Sequence, residues 1–336
     1  MAFGIDKKNQ ILTIAIPTFN RSTRLEKSLN DLLSQIKKSG KRQYISVFVS
    51  DNGSSDNTYK IAEKQREIFL NNNISFSINV FSENQGFDAN VLCCYRNCST
   101  DYIWFLSDDD NILDGSINVI IQNIKKFAPN VLYYNFDQYP YKTETPLIKD
   151  SILYNSVNKN NIQSISKIVS SPKLTSLVIR KKNDLTDKIS SFINLNYMHI
   201  ALALQTGFDF GKIYHSKKFI ACPDDDFMDH IDFVPYIGND LVKTVIQILK
   251  LNNKPDLYKY FQLKKMDPVI SSMATLGLYF NDNFVVKKEL RFKLYMTIKN
   301  GIKVKHFFIP QFIKVFIKLI IGYIIFLLRK GKLKNK

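Results

Sequence analysis

Ile11-Leu-Thr-Ile-Ala-Ile16 is a continuous apolar run rich in β-branched residues and stopped by Pro17, the pattern of a strand buried on both faces. From Ser22 to Lys37 the apolar positions Leu25, Leu29, Leu32, Leu33 and Ile36 repeat at helical spacing. Tyr44–Ser50 predicts a second strand, closed by the turn residues Asp51–Asp56 and followed by a helix from about Asn57 to Phe69. Ile74–Phe81 alternates as a third strand, Asn84–Gly86 breaks it, and Phe87–Asn97 predicts a helix. Tyr102–Leu106 predicts a fourth strand that leads into Asp108-Asp109-Asp110. Strand and helix thus alternate four times within about 120 residues, which predicts an α/β fold: a doubly wound, mostly parallel sheet flanked by helices.

In such sheets ligands bind beyond the carboxyl ends of the strands. Four polar clusters fall there: Thr18–Arg21, Asp51–Asp56, Asn84–Gly86 and Asp108–Asp110. Further on, the spacing predicts a helix over Asp114–Phe127, strands over Val131–Phe136 and Leu174–Arg180, and a helix over Ile193–Gln205. Lys212–Ala221 predicts a closing strand, and Tyr139–Ser171 is polar with no clear period. The organisation expected is a catalytic domain over 1–225, a helical extension over 226–300 and a basic amphipathic helix over 301–336.

Charge changes this picture by its placement. The chain of 336 residues carries 47 Lys+Arg against 30 Asp+Glu, a formal +17. Such an excess attracts polyanions, although an even spread of Lys, Asn and Ile also fits a biased genome composition. A nucleic-acid binder would put basic and aromatic residues together on its binding face. Here the expected crevice is acidic, so no nucleic-acid partner is expected. The cysteines Cys93, Cys94, Cys98 and Cys222 have neither zinc-site nor disulfide spacing. They read as reduced thiols, and with no signal peptide in the polar segment Met1–Gln10 the expected location is cytoplasmic.

Three adjacent carboxylates repel one another and are seldom presented at a strand end without a cation to share. Mg(II) or Mn(II), held by one or two carboxylates and by substrate phosphates, would supply that charge. Bound there, it would neutralise charge accumulating on a diphosphate leaving group.

Four stretches, Ile14-Ala-Ile-Pro-Thr-Phe-Asn-Arg21, Val49–Thr58, Asn84-Gln-Gly86 and Phe105-Leu-Ser-Asp-Asp-Asp110, together resemble a family 2 glycosyltransferase of the GT-A fold. The resemblance spans Ile11–Ile120, about a third of the chain. It implies an inverting enzyme that moves a sugar from a nucleotide diphosphate donor to a saccharide acceptor. It further implies that Pro17, Thr18 and Asn20 line the base pocket, with Arg21 near the phosphates. Asp51 would accept a hydrogen bond from an imide N–H of the base, on a turn shaped by Asn52 and Gly53. Gly86 would let the backbone pass close to the donor, and Asn90 would line the same wall. The family's Asp-x-Asp motif fits two registers, Ser107-x-Asp109 or Asp108-x-Asp110. Asp109 and Asp110 are taken as the metal ligands and Asp108 as the ribose contact.

Inversion also requires a base for the acceptor hydroxyl. Family members often supply it from a Glu-Asp pair, which this chain lacks; the nearest equivalent is Asn196-Tyr-Met-His199. His199 is the candidate, because an imidazole near 6.5 needs little tuning, with a metal-ligand or core role as its alternatives. Asp224–Asp226 is the competing carboxylate group.

Lys303–Lys336 holds eight Lys, one Arg and one His and no acidic residue. On a helix, Gln311, Lys314, Lys318, Gly322 and Arg329 share one sector, with apolar residues elsewhere. That pattern predicts a helix lying on an anionic membrane surface, and hence peripheral attachment at the inner face of the cell membrane, with a spanning helix or one packed on the protein's own core as the alternatives. Together with the donor chemistry it suggests a lipid-linked acceptor in surface polysaccharide assembly. The alternative function is a catalytically inactive sugar-nucleotide-binding protein or a basic nucleic-acid-binding protein.

Overall fold

The structure, a computed structural model, describes residues 7–136, 146–190, 195–223 and 241–257. The chain divides into two compact units, Met1–Asp229 and His230–Lys336. In the second, the described residues form a helix, Leu241–Leu251, and a single 3-10 turn, Pro255–Leu257. Asp224–Asp226, the expected amphipathic helix and most of the expected extension lie outside the described residues.

The first unit opens with β1 (Leu12–Thr18), α1 (Ser22–Ser39), β2 (Ile45–Asp51), α2 (Thr58–Asn71), β3 (Ser75–Val80), α3 (Phe87–Arg96) and β4 (Tyr102–Phe105). It continues with β5 (Asp110–Ile112), α4 (Ser116–Phe127), β6 (Val131–Phe136), β7 (Ile152–Tyr154), α5 (Gln163–Ser170) and β8 (Leu177–Arg180). Then come α6 (Leu185–Ile189), α7 (Met198–Phe210) and β9 (Ile213–Pro223). The nine strands form one sheet in the order β3-β2-β1-β4-β8-β6-β9-β5, with β7 paired to β9. Strands β1, β2, β3, β4, β6 and β9 run in one direction, and β5, β7 and β8 in the other.

Every residue of β1 and β2 is buried, which accounts for their unbroken apolar runs. Leu12, Ile14 and Ile16 join a core with Leu25, Leu29, Leu32 and Ile36 of α1, Ala62 and Phe69 of α2, and Ile117, Ile120 and Ile124 of α4. Each leucine or isoleucine fully buried there contributes roughly 1.5–3 kcal/mol. α3 packs instead on β1, β2 and α7. The chain winds outward from β1 through β2 to β3, then returns to place β4 on the other side of β1. This reversal of strand order is where such sheets open a crevice. Gly40, at φ 64°, ends α1 in the left-handed conformation that glycine adopts without penalty.

Three segments differ from the sequence pattern. The polar stretch after Tyr139 contains β7 and α5, and Leu174–Ser176 is a 3-10 turn ahead of β8. α7 starts at Met198 rather than Ile193, for a reason found in the crevice.

Candidate functional site

The four polar clusters meet at the carboxyl ends of β1, β2 and β4, held by side-chain bonds between segments far apart in sequence. Thr18 Oγ1, at the end of β1, donates to Asp108 Oδ2 at 2.6 Å. Arg21 Nη1 reaches Asp108 Oδ1 and Asp109 Oδ2, both at 2.8 Å. Asn20 takes a positive φ of 52° and ties β1 to the next loop, its Oδ1 accepting from Ser55 N at 2.8 Å. Asn52 Nδ2 donates to Asn84 Oδ1 and the Gly86 carbonyl, while its Oδ1 accepts from Gln85 N. Asn52 thereby fixes the Asn84–Gly86 turn against the end of β2.

Asp51 is fully buried. Its Oδ1 accepts from Ser54 N at 3.1 Å, whereas Oδ2 has no hydrogen-bond partner among the described residues. A buried carboxylate oxygen left unpaired is costly, so it calls for a donor that the described residues do not supply. Asn90 is also buried, and its Nδ2 donates to the carbonyls of Thr18 and Ser50. It joins the ends of β1 and β2, a tie that sequence spacing does not reveal. Pro17 lies in β1, opposite Ser50 of β2. Gly53 and Gly86 both have positive φ, at 73° and 84°. A Cβ on Gly53 would lie 2.6 Å from the Glu83 backbone, whereas one on Gly86 would meet nothing within 4 Å.

The three aspartates separate. Asp108 and Asp109 share the Arg21 guanidinium, so here the cation between them is an arginine. Burial works against the charge of Arg21, and the two carboxylates more than offset it, holding the group above its ordinary value. Burial raises Asp108 to about 6, with Asp109 adding to the rise and Arg21 opposing it. Asp110 points elsewhere: Thr175 Oγ1 donates to its Oδ2. Burial and then the neighbouring Asp109 push Asp110 up to about 8.

His199 departs from the sequence expectation. It is the second residue of α7 and only 3% exposed, and burial lowers its imidazole to about 4 instead of leaving it near 6.5. Its Nε2 lies 3.0 Å from the Pro172 carbonyl, an acceptor, so that nitrogen carries the proton. Its buried Nδ1 has no partner among the described residues. Phe87 stands edge-on to the ring at 5.9 Å, and Tyr197 lies at 5.8 Å. The ring is neutral throughout the physiological range and is a weaker base than the sequence suggests.

The model of the glycosyl transferase family 2 domain matches residues 13–181, from β1 through β8 and across all four clusters. The chain belongs to glycosyl transferase family 2. Over 344 aligned residues it is 26% identical to the abequosyltransferase RfbV of Salmonella typhimurium, covering 88% of this chain and 98% of that one. Over 117 residues it is 30% identical to a GalNAc(5)-diNAcBac-PP-undecaprenol beta-1,3-glucosyltransferase of Campylobacter jejuni, a third of each chain (33%). Among solved structures it is similar in fold to S. aureus TarS, with a TM-score of 0.57 and 15% identity over 94% of this chain and 54% of that longer one. The 1–349 fragment of TarS in complex with UDP-GlcNAc gives a TM-score of 0.54 at 14% identity, over 87% of this chain and 80% of the fragment. Its glycosyltransferase neighbours share the GT-A fold of this sheet.

For a family 2 transferase, a divalent ion must be tested against the residues present. Among the described residues no three His, Cys, Asp or Glu side chains gather as a metal cluster. The oxygens of Asp109 and Asp110 do fit the hard donors that Mg(II) and Mn(II) prefer, with phosphates completing the shell. Burial and Asp109 raise Asp110 more than Thr175 and Lys173 lower it, so a further positive charge beside it would be favourable.

Two contributors were not singled out from sequence. Thr175 joins the Ser107–Asp110 segment to β8, through Asp110 and through Ser107 N at 3.0 Å. Asp88, in the first turn of α3, bonds the start of α7 and sets where that helix begins.

Proposed function

We propose that the crevice binds a nucleoside diphosphate sugar and transfers its glycosyl group with inversion to a saccharide hydroxyl. The observation that carries this reading is the unpartnered Asp51 Oδ2 at the end of β2, in a crevice whose opposite side holds Asp108–Asp110. Asp51 would accept the imide N–H of uracil or thymine, with Pro17, Thr18, Asn20, Asn52 and Gly53 around the base. Asp108 would meet the ribose, and Gly86 leaves open space beside the donor. Asp109 and Asp110 would hold Mg(II) or Mn(II), which when bound stabilises the departing diphosphate. Arg21 adds positive charge in the same place.

The acceptor proton needs a receiver. His199, at about 4, can receive it only from a hydroxyl oxygen already bonding to the anomeric carbon, when that proton has become strongly acidic. Names of relatives that carry abequosyl transfer and a PP-undecaprenol substrate support a surface-polysaccharide role with a lipid-linked acceptor.

Calorimetry with a panel of UDP-, dTDP-, GDP- and CDP-sugars in Mn(II) tests the donor reading. A UDP- or dTDP-sugar should bind, and Asp51→Asn should weaken it at least about tenfold, on the order of 1.4 kcal/mol. Absence of any heat across the panel would remove the proposal.

Membrane attachment is a separate part of the reading. Among the described residues no helix is long and apolar enough to cross a membrane. The basic segment 301–336 would instead bind anionic lipid at about 1 kcal/mol per nearby Lys or Arg. The full chain should sediment with anionic liposomes and a chain ending at Lys305 should not; equal sedimentation would show that the segment is no anchor.

A further inference from the structure

We infer that Asp88 is a positioning residue that locks the start of α7 to the donor side of the crevice, and that its loss lowers turnover without lowering donor affinity. This rests on the transferase reading above. Asp88 follows Gly86 by two residues and is 2% exposed. Its Oδ2 accepts from the backbone N–H groups of Leu195 at 2.8 Å and Asn196 at 2.7 Å, and its Oδ1 from that of Met198 at 2.9 Å. These are amides at and just before the N-terminus of a helix, groups that lack partners within the helix itself. α7 supplies no side-chain cap of its own at Tyr197, and Asn196 sits at a positive φ of 59°. The cap is therefore provided from 110 positions earlier in sequence. Backbone N–H groups at the positive end of a helix dipole favour a carboxylate acceptor.

The direction of the effect follows from how the two sides are anchored. The Asn84–Gly86 turn has its own fastening, the three bonds to Asn52. Without the Asp88 carboxylate that turn stays in place. At the start of α7 the N-cap side chain makes no capping bond, and three of the amides there are held by Asp88. It carries Tyr197 and His199, whose rings lie side by side, and the exposed ring of Phe87 stands edge-on to His199 from the donor side. Asp88 thus fixes the spacing between the wall that holds the nucleotide and the helix start facing it. Misplacement of about 1 Å between reacting partners costs on the order of a hundredfold in rate.

The test compares wild type, Asp88→Asn and Asp88→Glu as full-length chains. Asparagine keeps the volume but places an amide N–H₂ against the N–H donors, whereas glutamate keeps both acceptors. Three quantities are read: turnover of the nucleotide sugar that the panel selects, its dissociation constant by calorimetry, and hydrogen exchange of the amides over 195–199. For Asp88→Asn we expect turnover to fall at least tenfold, affinity to change less than twofold, and exchange over 195–199 to quicken at least tenfold. Exchange over Asn84–Gly86 should stay as in wild type. Asp88→Glu should recover part of the turnover. Turnover of Asp88→Asn within twofold of wild type, or affinity lost in step with turnover, would overturn the proposal. Should wild type bind nothing in the panel, the transferase reading fails, and unchanged exchange over 195–199 would then sink the anchoring as well.

Discussion

Asp110→Asn is expected to raise the melting temperature at pH 8 by several degrees while removing most of the glycosyl transfer. Burial, with Asp109 beside it, raises the folded-state carboxyl from the ordinary 3.8 to about 8. The unfolded chain ionises this group near 3.8, so below that pH the folded state bears no penalty. As pH rises through 3.8 the unfolded state gains ionisation that the folded state resists, and the penalty grows until about pH 8. A shift of this size corresponds to at most on the order of 5 kcal/mol, with relaxation of the site reducing the realised part. The asparagine Oδ1 can still accept from Thr175, so the main bond survives. For a unit of this size, each 1 kcal/mol moves the midpoint by about 2–4 °C. Thermal unfolding of both proteins at pH 4 and pH 8 decides it: the advantage of the variant should be near zero at the lower pH and full at the higher. A constant difference at both would mean that the carboxyl is not the source. The lost transfer, in turn, would mark Asp110 as a group that stability alone would not have placed there, since active sites often retain such strain.

Gly53→Ala is expected to be among the most damaging single-methyl changes in the first unit. At φ 73°, alanine costs about 1–2 kcal/mol in the left-handed region. Its Cβ would also lie 2.6 Å from the Glu83 carbonyl carbon and 2.7 Å from its Cα, atoms of backbone that cannot swing aside. Overpacking of this kind typically adds about 1–3 kcal/mol. The displaced segment leads directly into Asn84–Gly86, so donor binding should fall with stability. Denaturant unfolding and calorimetry with the selected nucleotide sugar measure both, and a variant within 0.5 kcal/mol of wild type, roughly the scatter of neutral surface changes, would refute the close approach. Gly86 makes the contrast, because a Cβ there meets no atom of the protein within 4 Å. Alanine at that position should act through backbone strain and through the space beside the donor.

The alternation of β1 to β4 with α1 to α3 was legible because β1, β2 and β4 are buried along their whole length, β3 alternates, and each helix carries an apolar stripe. Elements beyond Asp110 were harder to read. β5 and β7 have three residues each, too few for a period, and exist because β9 offers them an edge. The first turn of α7 was misplaced because its cap, Asp88, lies in another helix. Among site residues, Asp51 and the Asp108–Asp110 run stood out by type and position, whereas Thr175 and Asp88 carry no local signature.

Local order of apolar and polar residues therefore determined the doubly wound sheet, the four loops at its carboxyl edge and the family. These depend on patterns a few residues long, which the chain states outright. Only the folded chain decided which charge each aspartate meets, and that His199 is buried and held near 4. Burial and long-range pairing set those properties, and the bonds that hold the aspartates join residues 65 to 110 positions apart.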